Sequence, residues 1–365
     1  MDLTQRPSGT WIIDYGVGMA EANAVYYESP FEYVRKNVKP EREKNNRESY
    51  RRLWWQHVEA RPAMRTALAP LPRFLCTTRV SKHRLFVWLE APTLPDSATF
   101  AFARADDFFF GVLQSRAHEI WARVQGTQVR ERESGFRYTP TTCFETFPFP
   151  FPDDLEPSWP APVSPPPKAK KPPEPDRFYA ENLAAKNYFM GKEEPPPYGN
   201  PSALRTPDSA LDHRTAIAAA AKHLNEEREG WLNPPEWTET RTLEFPGSSS
   251  GPWSRYVDPE TVDEETGVGT VRYPRLEPRD ADCAAKLKKR TLTNLYNERP
   301  AWLDLAHKKL DAAVAADYGW PADLSDEQIL ERLLALNLER AEEEAKAAKV
   351  KKPNTSSAKR EDEMI

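Results

Sequence analysis

Arg79-Val80-Ser81-Lys82-His83-Arg84-Leu85-Phe86-Val87-Trp88-Leu89 is the stretch on which the reading of this chain turns. Three cations, a serine and a histidine stand at or near its front, and an apolar run with β-branched and aromatic members follows. Such a run predicts a strand packed into a core. A strand that carries a basic turn to the surface suits contact with phosphates or base edges. The plainer reading is a solvated strand end that happens to be basic.

Outward from this stretch, Phe74-Leu75-Cys76-Thr77-Thr78 and Thr99-Phe100-Ala101-Phe102 predict two more strands. The spacing of Phe109, Val112, Leu113, Ala117, Ile120, Trp121 and Val124 predicts one helix from Asp106 to Gln125. Asp106 and Asp107 then read as capping residues. Upstream, residues 10–17 predict a short buried strand turning at Gly16. A helix is expected over Glu21 to Asn37, interrupted by Pro30, and a charged one over Arg42 to Val58. Trp54 and Trp55 near its end read as packing residues. A short helix follows over Pro62 to Leu71. Downstream, Ser134 to Pro140 predicts a polar loop carrying Arg137 and Tyr138. The alternating Phe and Pro from Phe147 to Pro152 cannot form a central strand, and should pin an extended segment onto the core.

Residues 153–176 read as a proline-rich, semi-rigid linker. Beyond it, helices are expected over Phe178 to Met190, Ser209 to Asn225, Ala281 to Tyr296 and Ala301 to Tyr318. Residues 233–280 read as mostly loop. Ser325 with Gln328 makes a capping-box pattern that opens a helix from Asp326 to Ala348. The predicted class is therefore α+β: a mixed α/β body over 1–152, the linker, a mainly helical extension with long loops over 177–350, and a disordered tail over 351–365.

The net charge of −5 hides a division. Residues 1–152 hold 21 Lys+Arg against 17 Asp+Glu, a net of +4, so the remainder carries −9. Residues 35–84 hold 14 basic and 4 acidic residues, a net of +10. A positive block on an acidic protein suggests a polyanionic partner; the competing reading pairs it with the acidic half of the same chain. The three cysteines are far apart and make no CxxC or Cys/His spacing, so neither a disulfide framework nor a zinc site is indicated. The first residues lack the pattern of a secretory signal, and no apolar run of about 18 residues occurs. A cytoplasmic protein is expected.

Chemistry-bearing motifs are sparse. No GxGxxG, GxxxxGK[ST] or HExxH occurs, the six histidines are scattered, and nothing supports Cys143 as a nucleophile. Asn233-Pro234-Pro235-Glu236 approaches the Asn-Pro-Pro-aromatic signature of amino-methyltransferases, but its fourth residue is acidic, and Trp237 comes one position late. It also follows a helix and not a strand, so it reads as a helix-stop turn.

Several segments together resemble the C-terminal part of Eco57I-like and MmeI-like adenine-specific DNA methyltransferases of bacterial restriction–modification and phage-defence systems. They are Trp11-Ile12-Ile13-Asp14-Tyr15-Gly16, Pro30-Phe31-Glu32-Tyr33-Val34, Trp54-Trp55, the Arg79–Leu89 stretch, Phe110-Gly111-Val112-Leu113-Gln114-Ser115-Arg116, and Arg137-Tyr138-Thr139-Pro140 with Phe144-Glu145-Thr146-Phe147-Pro148. Leu292-Thr293-Asn294-Leu295-Tyr296-Asn297, Ala301-Trp302-Leu303-Asp304-Leu305-Ala306-His307 and Tyr318-Gly319-Trp320-Pro321 extend the match into the second half.

The resemblance implies a target-recognition domain over 1–152 and a helical extension after the linker. It also implies that the S-adenosylmethionine-binding and Asn-Pro-Pro-aromatic motifs lie upstream, on a catalytic core. This chain would then hold no cofactor or catalytic residue of its own and would not methylate DNA alone; S-adenosylmethionine would serve the complete enzyme. Double-stranded DNA is the expected partner, with Arg79, Ser81, Lys82, His83 and Arg84 on one edge and Arg137, Tyr138 and Thr139 on a second loop. The alternative is a non-catalytic interaction subunit whose acidic helical half binds a protein. A third is a self-contained enzyme built on Asn233-Pro234-Pro235.

Overall fold

The computed structural model describes residues 6, 11–90, 93–128, 135–150 and 207–350. The linker, the helix expected over Phe178 to Met190 and the tail lie outside them. None of the described helices is long and apolar enough to cross a membrane.

Residues 11–58 build a small core of their own from Tyr15, Ala24, Phe31, Val34, Trp54 and Trp55. The expected strand over 10–17 is absent from the described part of that range: residues 11–16 hold no regular secondary structure, though Gly16 does turn, at φ +69°. The helix of 21–37 divides into α1 (Glu21–Ala24) and α2 (Glu28–Asn37). The break falls before Pro30, which occupies the first turn of α2, where its missing N–H leaves no bond unmade. Likewise α3 (Lys39–Glu43) and α4 (Glu48–Arg52) replace the single helix of 42–58. Between them the Asn45 side chain accepts the Arg47 N–H at 2.9 Å, a local bond that competes with helix continuation. From within α5 (Pro62–Leu68), Arg65 grips both Asp14 oxygens, at 2.7 and 3.0 Å.

The main sheet is antiparallel, in the order β3 (Phe86–Glu90), β1 (Arg73–Thr78), β4 (Thr99–Phe102). Leu75 faces Trp88 on one side and Phe102 on the other. Central position explains why Phe74 through Thr77 are all buried. A second small sheet joins β2 (Val80–Ser81), β6 (Phe136–Arg137) and β5 (Thr127–Gln128), so part of the expected polar loop is strand. The helix of 106–125 is two helices, α6 (Asp107–Gln114) and α7 (Arg116–Gln125). Ser115 leaves helical geometry at ψ 158° and its hydroxyl caps α7 through the His118 N–H. The Phe-Pro run pins as expected: Phe147 is buried, Phe149 stacks on Phe109 with centroids 5.7 Å apart, and Tyr318 donates to the Pro148 carbonyl at 2.8 Å.

The second half opens with α8 (Pro207–Leu232), which packs on α6. Its core positions Ile217, Ala221 and Leu224 join Phe110 and Leu113 in one hydrophobic cluster with Leu303, Leu310 and Leu333. Residues 233–280 are not mainly loop. They hold a long antiparallel ribbon, β7 (Thr238–Ser248) with β8 (Val268–Pro278). A two-stranded ribbon leaves every second N–H on a free edge, where Pro246 and Pro274 remove no ladder bond. Tyr273 meets Trp253 and Tyr256 with centroids 5.0 and 5.1 Å away, and the Tyr256 hydroxyl donates to Glu90 at 3.3 Å. The helix of 281–296 divides at Thr291 into α9 (Ala281–Leu287) and α10 (Leu292–Glu298). Arg299, at φ +42°, ends α10 and leads into α11 (Ala301–Tyr318), which Gly319 closes at φ +71°. The capping box forms as expected at the start of α12 (Asp326–Val350): Ser325 N–H donates to Gln328 at 2.9 Å, and Gln328 N–H to the Ser325 hydroxyl at 3.3 Å.

Gly111 lets α6, α8 and α11 approach. A Cβ there would stand 2.7 Å from Ile217 Cγ2, 2.9 Å from Ala221 Cβ and 3.2 Å from Leu310 Cδ1. Gly230, itself exposed near the end of α8, has nothing within 4 Å of the same position. We expect Gly111→Ala to destabilise by about 1–3 kcal/mol through overpacking. Gly230→Ala should stabilise by roughly 0.5–1 kcal/mol through helix propensity. Urea unfolding of the two variants measures both, and a loss of similar size at both sites would contradict the account.

Candidate nucleic-acid interface

Strand alternation decides which groups the basic stretch shows to solvent. Val80 pairs with Arg137, and Arg137 with Thr127, so these three share a face. All three are exposed. Ser81 pairs with Phe136 on the opposite face, where Phe136 is buried and the Ser81 hydroxyl is closed off from solvent. Gly135 makes the close approach possible. At φ +90° its Cβ would fall 2.3 Å from the Ser81 carbonyl oxygen.

Arg79 is held by its main chain, its N–H donating to the Ala98 carbonyl at 2.7 Å and its carbonyl accepting from Tyr138 N–H at 2.9 Å. Its side chain is exposed, the guanidinium 5.3 Å from the centroid of the Phe100 ring. Lys82 is exposed and His83 half-buried; both side chains reach Asn297 Oδ1, at 2.8 and 3.0 Å. Arg137 makes no side-chain hydrogen bond or ion pair among the described residues, and Thr139 is half-buried at the start of the Pro140–Phe144 turn.

Besides the Ser81 hydroxyl, two expected contact residues do not reach the surface. Arg84 is 2 % exposed. It donates to the Thr77 hydroxyl at 3.0 Å, the Thr78 carbonyl, and the Phe136 carbonyl at 3.1 Å. Burial lowers its pKa to about 10. It lies between the Phe136 and Tyr138 rings, 4.7 and 4.9 Å from their centroids, and so joins the two sheets beneath the exposed face. Tyr138 is fully buried, with its pKa pushed up by desolvation. His118 Nδ1 lies 2.8 Å from the Leu113 carbonyl, which can only accept, so Nδ1 carries the proton. His118 Nε2 then accepts from the Tyr138 hydroxyl at 3.1 Å. The sequence offered no sign of either burial, because strand phase could not be set without the β6 partner.

Asn297, quoted only within a segment of the resemblance, was not foreseen as a partner of the basic turn. It lies 215 residues from Lys82, and no local pattern links the two. Asn233 is fully occupied as a structural group. Its Oδ1 accepts from Arg6 at 2.9 Å and its Nδ2 donates to Glu229 at 3.2 Å, which leaves the amide engaged at both ends. The three cysteines are free thiols and buried, with Cys76 raised to about 11 by desolvation. Among the described residues no group of His, Cys, Asp or Glu is arranged to hold a metal ion.

Residues 11–151, which hold both the small sheet and the basic turn, match the family model described as MmeI, target recognition domain. Over that segment the chain is an MmeI-like target recognition domain. Asn297 lies outside the MmeI-like segment. No curated protein matches. Among solved structures, a Type IIL restriction–modification enzyme MmeI in complex with DNA is similar, at 14 % identity and a TM-score of 0.45. The similarity covers 90 % of this chain and 28 % of that one, so the chain spans little more than a quarter of that enzyme's length.

The support beneath the interface is pH-dependent. Burial lowers His118 and His307 from 6.5 to about 3, and raises Asp311 from 3.8 to about 6. Each histidine binds its proton more readily when unfolded, so its stabilisation is complete above about pH 6.5 and is lost as the pH falls toward 3. Asp311 has the opposite sign and favours folding less as the pH rises from 3.8 to 6, and burial raises the Glu229 carboxyl in the same sense. The two histidines and the two carboxyls therefore oppose one another between about pH 4 and 6. For His118→Phe we expect a stability profile that rises less, or falls more, with pH across that window than that of the wild-type chain, measured by urea midpoints at stepped pH; an unchanged slope would show that His118 is not held neutral.

Proposed function

We propose that this chain is the DNA-reading portion of a site-specific adenine-N6 methyltransferase of the restriction–modification type. One observation carries the reading: within the MmeI-like segment, Arg79, Lys82 and Arg137 stand exposed on and beside the face that β2 and β6 present. Arginine can pair bidentately with guanine, and all three cations can neutralise phosphates. His83 and Thr139 lie beside them as partly accessible contacts, whereas Ser81, Arg84 and Tyr138 support the face from beneath. The methyl transfer, with its S-adenosylmethionine pocket, belongs to a catalytic core outside these residues, and the flipped adenine would enter that core.

Charge pairing favours this over a protein-interaction subunit. Among the described residues, every ion pair made by a cation of residues 35–84 has its acid within residues 14–107: Glu32, Glu41, Glu59, Asp14 and Asp107. The described part of the acidic second half therefore makes no ion pair with the basic block, which favours an external polyanion as its partner.

Selection of duplexes from a randomised pool at two salt concentrations tests the proposal with the full chain. We expect enrichment of one short motif and binding that weakens steeply with salt. Arg79→Ala and Arg137→Ala should each reduce the slope of log affinity against log salt by about 0.9 for every phosphate the variant no longer neutralises. Failure to bind any duplex at low salt would move the assignment to the interaction-subunit reading.

A further inference from the structure

Lys82 and His83 form the tip of the basic turn, and both side chains converge on one atom. Lys82 Nζ lies 2.8 Å and His83 Nε2 3.0 Å from Asn297 Oδ1. An ammonium group only donates, so the Asn297 atom must be the oxygen. The same oxygen receives His83, so Nε2 carries a proton, and Nδ1 is left as the second hydrogen-bonding atom of that ring. The His83 ring also lies against Tyr296, with centroids 5.9 Å apart, and the Tyr296 hydroxyl is 2.8 Å from His307 Nε2 in the core of the helical half. Asn297 itself is exposed in the last turn of α10, where Arg299 stops the helix at φ +42°.

We propose that Asn297 is a positioning residue for target reading. It ties the two side chains of the tip to one orientation, so that residues outside 11–151 help set sequence preference. The inference rests on the DNA-reading function proposed above. A long lysine that is already held loses less side-chain entropy when it meets its contact, and a held histidine presents a defined donor–acceptor pattern. Arg84 anchors the base of the turn, and Asn297 anchors its tip.

A double-mutant cycle on the full chain tests this, with the wild-type-selected duplex and a scrambled duplex as probes. Asn297→Ala should lower the preference for the selected duplex by roughly three- to tenfold, with little change on the scrambled one. In a Lys82→Ala/His83→Ala background it should have no further effect. Asn297→Asp keeps the acceptor oxygen and should retain the preference, even if its charge weakens both affinities together. Equal losses on both duplexes, or an undiminished loss in the Lys82→Ala/His83→Ala background, would overturn the positioning role. So would tighter binding by Asn297→Ala, which would make the contact a latch. A wild-type chain with no preference would overturn the DNA-reading function and this role together. A preference that needs Lys82 and His83 but ignores Asn297 would overturn this role alone.

Discussion

The Gln114 carboxamide is the contact on which the arrangement depends. Its oxygen accepts the Phe86 N–H of β3 at 2.9 Å and the Arg228 guanidinium of α8 at 3.2 Å, while Arg228 donates to the Phe86 carbonyl at 2.8 Å. All three residues are buried, Arg228 completely. A buried cation held through its two terminal nitrogens by neutral acceptors disfavours any other docking, because a shift of one helical turn would strip it of those partners at a cost of several kcal/mol. The junction therefore sets the register between the MmeI-like segment and the helical half. Gly111, one turn earlier on α6, brings the backbones close enough for it to form.

Phe86 is also the first residue of β3, directly after the basic turn. The same junction that orders the core thus fixes the root of the turn. From there the supports run outward: Arg84 bonds to both sheets, His118 and Tyr138 fill the space beneath, and Asn297 meets the tip from α10. The polar groups of this support sit in low dielectric, where satisfied hydrogen bonds are strong and unsatisfied ones costly. An exposed row of cations is thereby mounted on a part of the molecule that is hard to deform.

The sequence reading erred in a consistent way by joining neighbouring helices. It ran α6 into α7, where apolar spacing continues through the break, and likewise α3 into α4 and α9 into α10. Ser115, Asn45 and Thr291 are the residues that interrupt, each by a short side-chain bond to a nearby N–H. Their presence was visible, but whether such a residue caps or merely tolerates a helix depends on what the adjacent side chain is drawn toward. Gln114 is drawn into the core, and the helix ends there. The β7–β8 ribbon failed for the opposite reason: its prolines suggested loop, and only the free edges of a two-stranded ribbon make them admissible.

By itself the sequence determined the strands flanking the basic turn, the capping box at Ser325, the pinned Phe-Pro run, the charge division, and a resemblance specific enough to point to target recognition. Those features are local or compositional, and alternation, capping chemistry and charge act over a few residues. Tertiary structure alone decided which members of the basic stretch face outward. Strand pairing with β6 turned Ser81 inward, the core claimed Arg84 and Tyr138, and a helix more than two hundred residues away supplied Asn297. Exposure is a property of the partner that a residue packs against, and that partner is chosen by the fold as a whole.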